Sequence, residues 1–135
     1  MPNSDAAQPP DDARITRYSG IYNADGGLAG EIRYVFGHLF GSAECALCDI
    51  THSPLRRKPE WDRMVRRLSV PLVVMHRNEL DEPLRSATRG IPLPVVIAHR
   101  ADGSMTVALT AELLRGLDGS VAAFERALQA SRAGG

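Results

Sequence analysis

Val70-Pro-Leu-Val-Val-Met75 is a continuous apolar run, closed by the polar His76-Arg77-Asn78. A run with no polar alternation predicts a strand covered on both faces, and such strands occur in parallel sheets flanked by helices. That places the chain in the α/β class. Downstream, Asp81-Glu82-Pro83 opens a short helix expected to end near Arg89-Gly90, since proline suits the first helical turn and glycine its close. Val95-Val-Ile-Ala-His-Arg100 and Met105-Thr-Val-Ala-Leu-Thr110 are then joined by the turn Ala101-Asp-Gly-Ser104. Met105, Val107 and Leu109 alternate with Thr106, Ala108 and Thr110, so this pair is read as an antiparallel β-hairpin and the sheet as mixed.

Working outward to the C-terminus, Ala111 to Ala130 is helical with a break at Gly116 to Gly119, and Val121, Phe124 and Leu128 supply the last apolar face. Residues Ser131 to Gly135 are expected to fray. On the N-terminal side, Pro59 suits a first helical position, and Trp61, Met64, Val65 and Leu68 line one side of the helix it opens. Glu60 and Asp62 at its start and Arg66 and Arg67 at its end complement the helix dipole. Arg56, Arg57 and Lys58 ahead of it form either a solvated face or an anion site at the helix start.

Further back, Arg14 to Ala24 is rich in Ile, Thr and Tyr and reads as a strand, with Gly20 a point of interruption. Asn23-Ala-Asp-Gly-Gly27 turns the chain. Leu28, Ile32, Val35, Phe36, Leu39 and Phe40 then recur at three and four as one helical face, with Asp25 able to cap its start and Gly41 to end it. Gly26 to Gly30 could present backbone amides to an anion, or simply let the chain turn into the helix. No Gly-Lys-Ser/Thr ending supports a P-loop. Met1 to Asp12 has too little apolar content to offset the entropy of ordering, so residues 1–13 are expected to be a disordered lead and 14–130 a single domain.

Both cysteines fall in Glu44-Cys-Ala-Leu-Cys-Asp-Ile-Thr-His-Ser53. Two readings compete. As a strand, the stretch buries Ala46, Leu47, Cys48 and Ile50, sets Cys45 and Cys48 roughly 10 Å apart on opposite faces and makes both structural. As a turn or helix start, it brings them within the roughly 7 Å between Cα atoms that a disulfide requires, or lets them share a metal. In either reading His52 is expected at a strand's carboxyl end, ahead of the turn at Ser53-Pro54, and it is the residue expected to act before either cysteine.

The chain has 135 residues, and its sixteen basic and sixteen acidic residues cancel. One domain of this length buries roughly two-thirds of its unfolded surface and needs no metal or disulfide to fold. No global field recruits nucleic acid or an anionic membrane, so neither is expected as a partner, and no other partner is indicated. Without an apolar leader the chain is expected to be cytoplasmic, with reduced thiols.

The order strand, helix, strand, helix, strand, helix, hairpin, helix, with Arg89-Gly90-Ile91-Pro92 before the hairpin and Asp102-Gly103 within it, resembles the thioredoxin-like fold over Arg14 to Ala130. The resemblance implies a cis proline ahead of the hairpin, facing the site. Pro92 matches the local motif, whereas Pro94 directly precedes the apolar strand and is favoured. Tyr22-Asn-Ala-Asp-Gly-Gly27 and Cys45-Ala-Leu-Cys-Asp-Ile-Thr-His52 also resemble a family of small bacterial proteins without an assigned activity. In thioredoxins the dithiol follows a central strand and opens a helix. Here the cysteines come before or within the corresponding apolar run, and Thr51 to Pro54 occupies the turn.

If that fold holds, three parallel strands end at Asn23 to Asp25, His52 to Ser53 and His76 to Asn78, and ligands of open α/β sheets bind outside such ends. Asn23, Asp25 and His76 are therefore the expected ligand-binding residues, and Cys45, Cys48 and His52 the expected catalytic ones. Enzyme status is left open. The leading function is thiol-redox or small-ligand chemistry without a cofactor. One alternative is a zinc module using Cys45, Cys48 and His52 with His38 or His76 as fourth ligand. Another is a non-catalytic adaptor.

Overall fold

The computed structural model describes residues 11–23, 46–53 and 56–134. The expected helix after Leu28, the Gly26 to Gly30 turn, Asp25, His38 and Cys45 lie outside the described residues. A short 3-10 turn, Asp11–Ala13, leads into β1 (Ile15–Tyr22). Then come α1 (Ala46–Thr51), β2 (His52–Ser53), β3 (Arg56–Arg57), α2 (Pro59–Arg67) and β4 (Leu72–His76). The chain continues through α3 (Glu82–Ala87), β5 (Val95–Arg100), β6 (Met105–Leu109), α4 (Ala111–Arg115) and α5 (Val121–Gly134).

The four-stranded sheet has the order β4-β1-β5-β6, with β1 parallel to β4 and antiparallel to β5, and β6 antiparallel to β5. Side chains of a strand alternate between faces, which sorts them into two layers. Tyr18, Tyr22, Leu72, Val96 and Ala98 pack with Leu47, Ile50, Trp61, Met64, Leu114, Phe124 and Leu128, so α1, α2, α4 and α5 cover one face. Ile21, Val95 and Ile97 pack with Leu80 and Leu84 of the α3 segment on the other. The fold is thus α/β with a mixed sheet. Leu93–Pro94 is the cis bond, as favoured over Pro92.

Two irregularities in register shift side chains between layers. A shift between Ile15 and Arg17 puts Ile15 against the larger cluster while Arg17 shares the parity of Ser19 and Ile21. A second, opposite Val96 and Ile97, sends Leu109 to the larger cluster although Met105 packs with the smaller one. A bulge adds one residue to one strand, so it reverses the facing of the residues beyond it. For that reason the even alternation read from Met105 to Thr110 does not become a single buried face, and Val107 is 41% exposed.

Several expectations need correction. Residues 46–51 form a helix, not a strand: Leu47, Cys48, Ile50 and Thr51 are all buried, and a short apolar segment buried on most sides has no period by which to tell helix from strand. Among the described residues the sheet therefore has two parallel strands, not three. His52 and Ser53 pair with Arg57 and Arg56 in a separate two-stranded ribbon. Among the described residues β4 is an edge strand, and Val73 is 53% exposed, so β4 is not covered on both faces. β1 runs unbroken through Gly20. The order expected to start at Arg14 reaches back to Asp11, because Ala101 N–H donates to Arg14 O and Asp102 N–H to Asp12 O. At the other end α5 continues past Ala130 to Gly134, where Arg132 donates to Ser69 Oγ at 2.9 Å.

Helix α2 has the expected build. Pro59 stands in its first turn, Trp61 and Met64 are buried, and Trp61 meets Phe124 of α5 edge-on with ring centroids 5.0 Å apart. Lys58 does not face an anion site, since its Nζ donates to Gly119 O at 2.8 Å and ties α2 to the turn before α5.

Candidate functional site

The carboxyl ends of β1 and β4 lie side by side, Tyr22 opposite His76. Just past them Arg77 donates to Asn23 Oδ1 at 3.2 Å. The Tyr22 and His76 rings are 5.2 Å apart and tilted by 59°. His76 is held from the other side by Glu79, whose Oε1 accepts from the His76 backbone N–H at 2.7 Å and lies 2.9 Å from Nδ1. Those two hydrogen bonds keep the Glu79 carboxyl below its usual range. Asn23 and His76 are therefore brought to one edge, as expected from the ends of two parallel strands. Asp25 and the ring of His52 lie outside the described residues.

The same edge is tied to the cysteine helix. Thr51 Oγ1 donates to Cys48 O at 3.3 Å, which uses its one proton, so Tyr22 OH donates to Thr51 Oγ1 across 2.9 Å. Both residues are buried, Tyr22 at 3% exposure and Thr51 at 0%. This fixes the last turn of α1 against the end of β1. Cys48 lies in that helix, 5% exposed and disulfide-bonded. The chain's only other cysteine, Cys45, lies outside the described residues. Among the described residues, which omit Cys45 and the His52 ring, no group of three His, Cys, Asp or Glu is placed to hold a metal ion.

A second polar cluster, on the α3 face of the sheet, was not read from the sequence. His99 is 8% exposed and Ser19 2%, with Ser19 Oγ 2.7 Å from His99 Nε2. Arg17 Nη2 is 3.3 Å from Nδ1. Burial, then the Arg17 charge, lowers the His99 pKa below its ordinary value, against the opposing pull of Asp81. A serine beside a histidine invites a nucleophile reading, but the geometry opposes it. A guanidinium only donates, so neutral His99 accepts at Nδ1 and carries its proton on Nε2, where it donates to Ser19. A base for Ser19 would need the opposite tautomer. The sequence signal was the odd-numbered set Arg17, Ser19 and His99 on strands whose other odd positions are apolar.

Among the described residues no helix is long and apolar enough to cross a membrane. No protein-family model, curated protein or solved structure matches the chain.

Proposed function

We propose that the chain is a thioredoxin-like thiol-redox protein whose working group is the Cys45–Cys48 pair, seated beside the carboxyl edge of β1 and β4. The observation that carries this reading is that Cys48 is disulfide-bonded within a helix. In a strand the pair would be roughly 10 Å apart and unable to bond. The strand order β4-β1-β5-β6 and the place of Pro94 directly before β5 support the fold assignment.

Burial of Cys48 decides which sulfur reacts. At 5% exposure its sulfur is shielded from an incoming nucleophile, so exchange enters at Cys45. A thiolate of a partner dithiol attacks Cys45 Sγ, forms a mixed disulfide and releases the Cys48 thiolate. The partner's second thiolate then attacks its own sulfur in that mixed disulfide and releases the Cys45 thiolate. The partner dithiol becomes a disulfide, and two electrons and two protons end on the cysteine pair. His52 would supply or take the proton, its unperturbed pKa of about 6.5 suiting that task. Asn23, Asp25 and His76 would orient the partner at the edge.

Thiol titration of protein purified without an affinity tag tests this. Without reductant no thiol should react, and after reduction both cysteines should, returning to the bonded form with an oxidised dithiol. Cys45→Ser should abolish exchange. A disulfide that never re-forms sinks the redox reading, zinc bound stoichiometrically after reduction moves it to the metal module, and unchanged partner binding by the double Ser variant moves it to the adaptor.

A further inference from the structure

On the face of the sheet opposite α1, the start of α3 and the β5–β6 hairpin enclose a cavity of about 250 Å³. Its floor is the buried ring of His99, with Arg17 and Arg100 along one wall and Asp81, Pro83, Leu84 and Met105 along the other. Arg17 spends one donor on His99 Nδ1 and is otherwise exposed, leaving the rest of its planar fork to the cavity mouth. Arg100 sends Nη1 to Ala13 O and adds its charge from the side.

The charges limit the occupant. His99 is neutral between Arg17 and Ser19, so the charged side chains that line the cavity are two guanidiniums, Arg17 and Arg100, and one carboxylate, Asp81, with Asp102 beside Arg100 outside the lining. Asp81 Oδ1 accepts from Leu84 N–H at 3.0 Å, which fixes that carboxylate in the wall, where it would repel a second negative charge on a ligand. Apolar surface from Pro83, Leu84 and Met105 offers no partner to a fully hydrated ion but suits a hydrocarbon body. At about 250 Å³ the space lies just below the range of drug-sized ligands.

We propose that this cavity binds a small monoanionic carboxylate, its carboxylate held by Arg17 over His99 and its apolar body packed against Pro83, Leu84 and Met105. The site is independent of the cysteine pair and stands or falls apart from the redox reading. Proton–nitrogen correlation NMR of the full chain tests it, with benzoate, neutral benzamide and inorganic phosphate as probes. Benzoate should give saturable shifts centred on Arg17, His99 and Met105. Benzamide should bind at least about tenfold more weakly, as expected when a charge-assisted bond is lost, and phosphate should give no saturable shift there. Arg17→Met should weaken benzoate about tenfold or more, and Arg17→Lys less. Equal binding of benzoate and benzamide, saturation by phosphate, shifts centred elsewhere, or undiminished binding by R17M overturns the proposal. If R17M loses its native spectrum, R17K and the benzamide comparison decide.

Discussion

At Gly20 the sheet is touched by the cysteine helix, and a side chain there would crowd its neighbours on both sides. A Cβ there would sit 3.2 Å from Leu47 Cδ2 and 3.1 Å from Val74 Cγ1. Leu47 is fully buried and has nowhere to retreat. Gly20→Val should therefore destabilise the fold by about 2–3 kcal/mol, an overpacking cost larger than the backbone entropy it saves. Urea denaturation measures this, and a neutral result would mean that α1 is not pressed onto the sheet. His99 gives a pH prediction. Its folded pKa lies below the unfolded value, so between the two the unfolded chain binds the extra proton and stability declines as pH falls. The decline should begin near pH 6.5, about the unperturbed histidine value, and level off below the folded pKa. His99→Gln should flatten that part of the stability profile. Persistence of the slope would assign it to another group.

Helix α3 has only six residues, too short to persist on its own, so its ends and its packing must hold it. Asp81 caps it by accepting from Leu84 N–H, and Leu84 is its buried anchor. Asp81→Ala should cost about 1 kcal/mol, and Asp81→Asn should recover most of it, because asparagine caps as well as aspartate. Denaturant midpoints of the two variants check this. If both lose equally, the charge matters and the cap does not. Helix α1 is equally short but is held differently, by Leu47 and Ile50 at 0% exposure and by the hydroxyl chain from Tyr22 through Thr51. One helix was legible from its cap and the other was not, because burial on several sides erases periodicity.

For the whole molecule, the question is whether a redox change can occur without unfolding. A 135-residue domain has roughly 7–20 kcal/mol of stability at ordinary per-residue values. On the proposed redox reading, closing the short Cys-x-x-Cys loop contributes only about 2 kcal/mol by loop entropy. Reduction should thus lower Tm by about 6 °C and leave a single cooperative transition. Calorimetry with and without reductant measures it. Loss of the transition on reduction would make the disulfide a structural staple instead of a working group.

Local patterning determined much of this protein. The hairpin turn at Asp102-Gly103, the prolines of α2 and α3, the Asp81 cap of α3, the apolar spacing of α5 and the strand at Leu72 to His76 all arise from interactions within a few residues. The nearness of Asn23 to His76 was also legible, since it needs only two strand ends of known direction. Tertiary structure alone decided the rest. The seating of the α1 helix on the sheet, with Leu47 over Gly20, is a contact between segments distant in sequence. Register irregularities opposite His99 to Arg100 and Val96 to Ile97 choose which layer Ile15 and Leu109 join. The meeting of Ser19 with His99, eighty positions on, exists only because β1 and β5 are neighbours. Strand pairing is a long-range choice, and no local pattern encodes it.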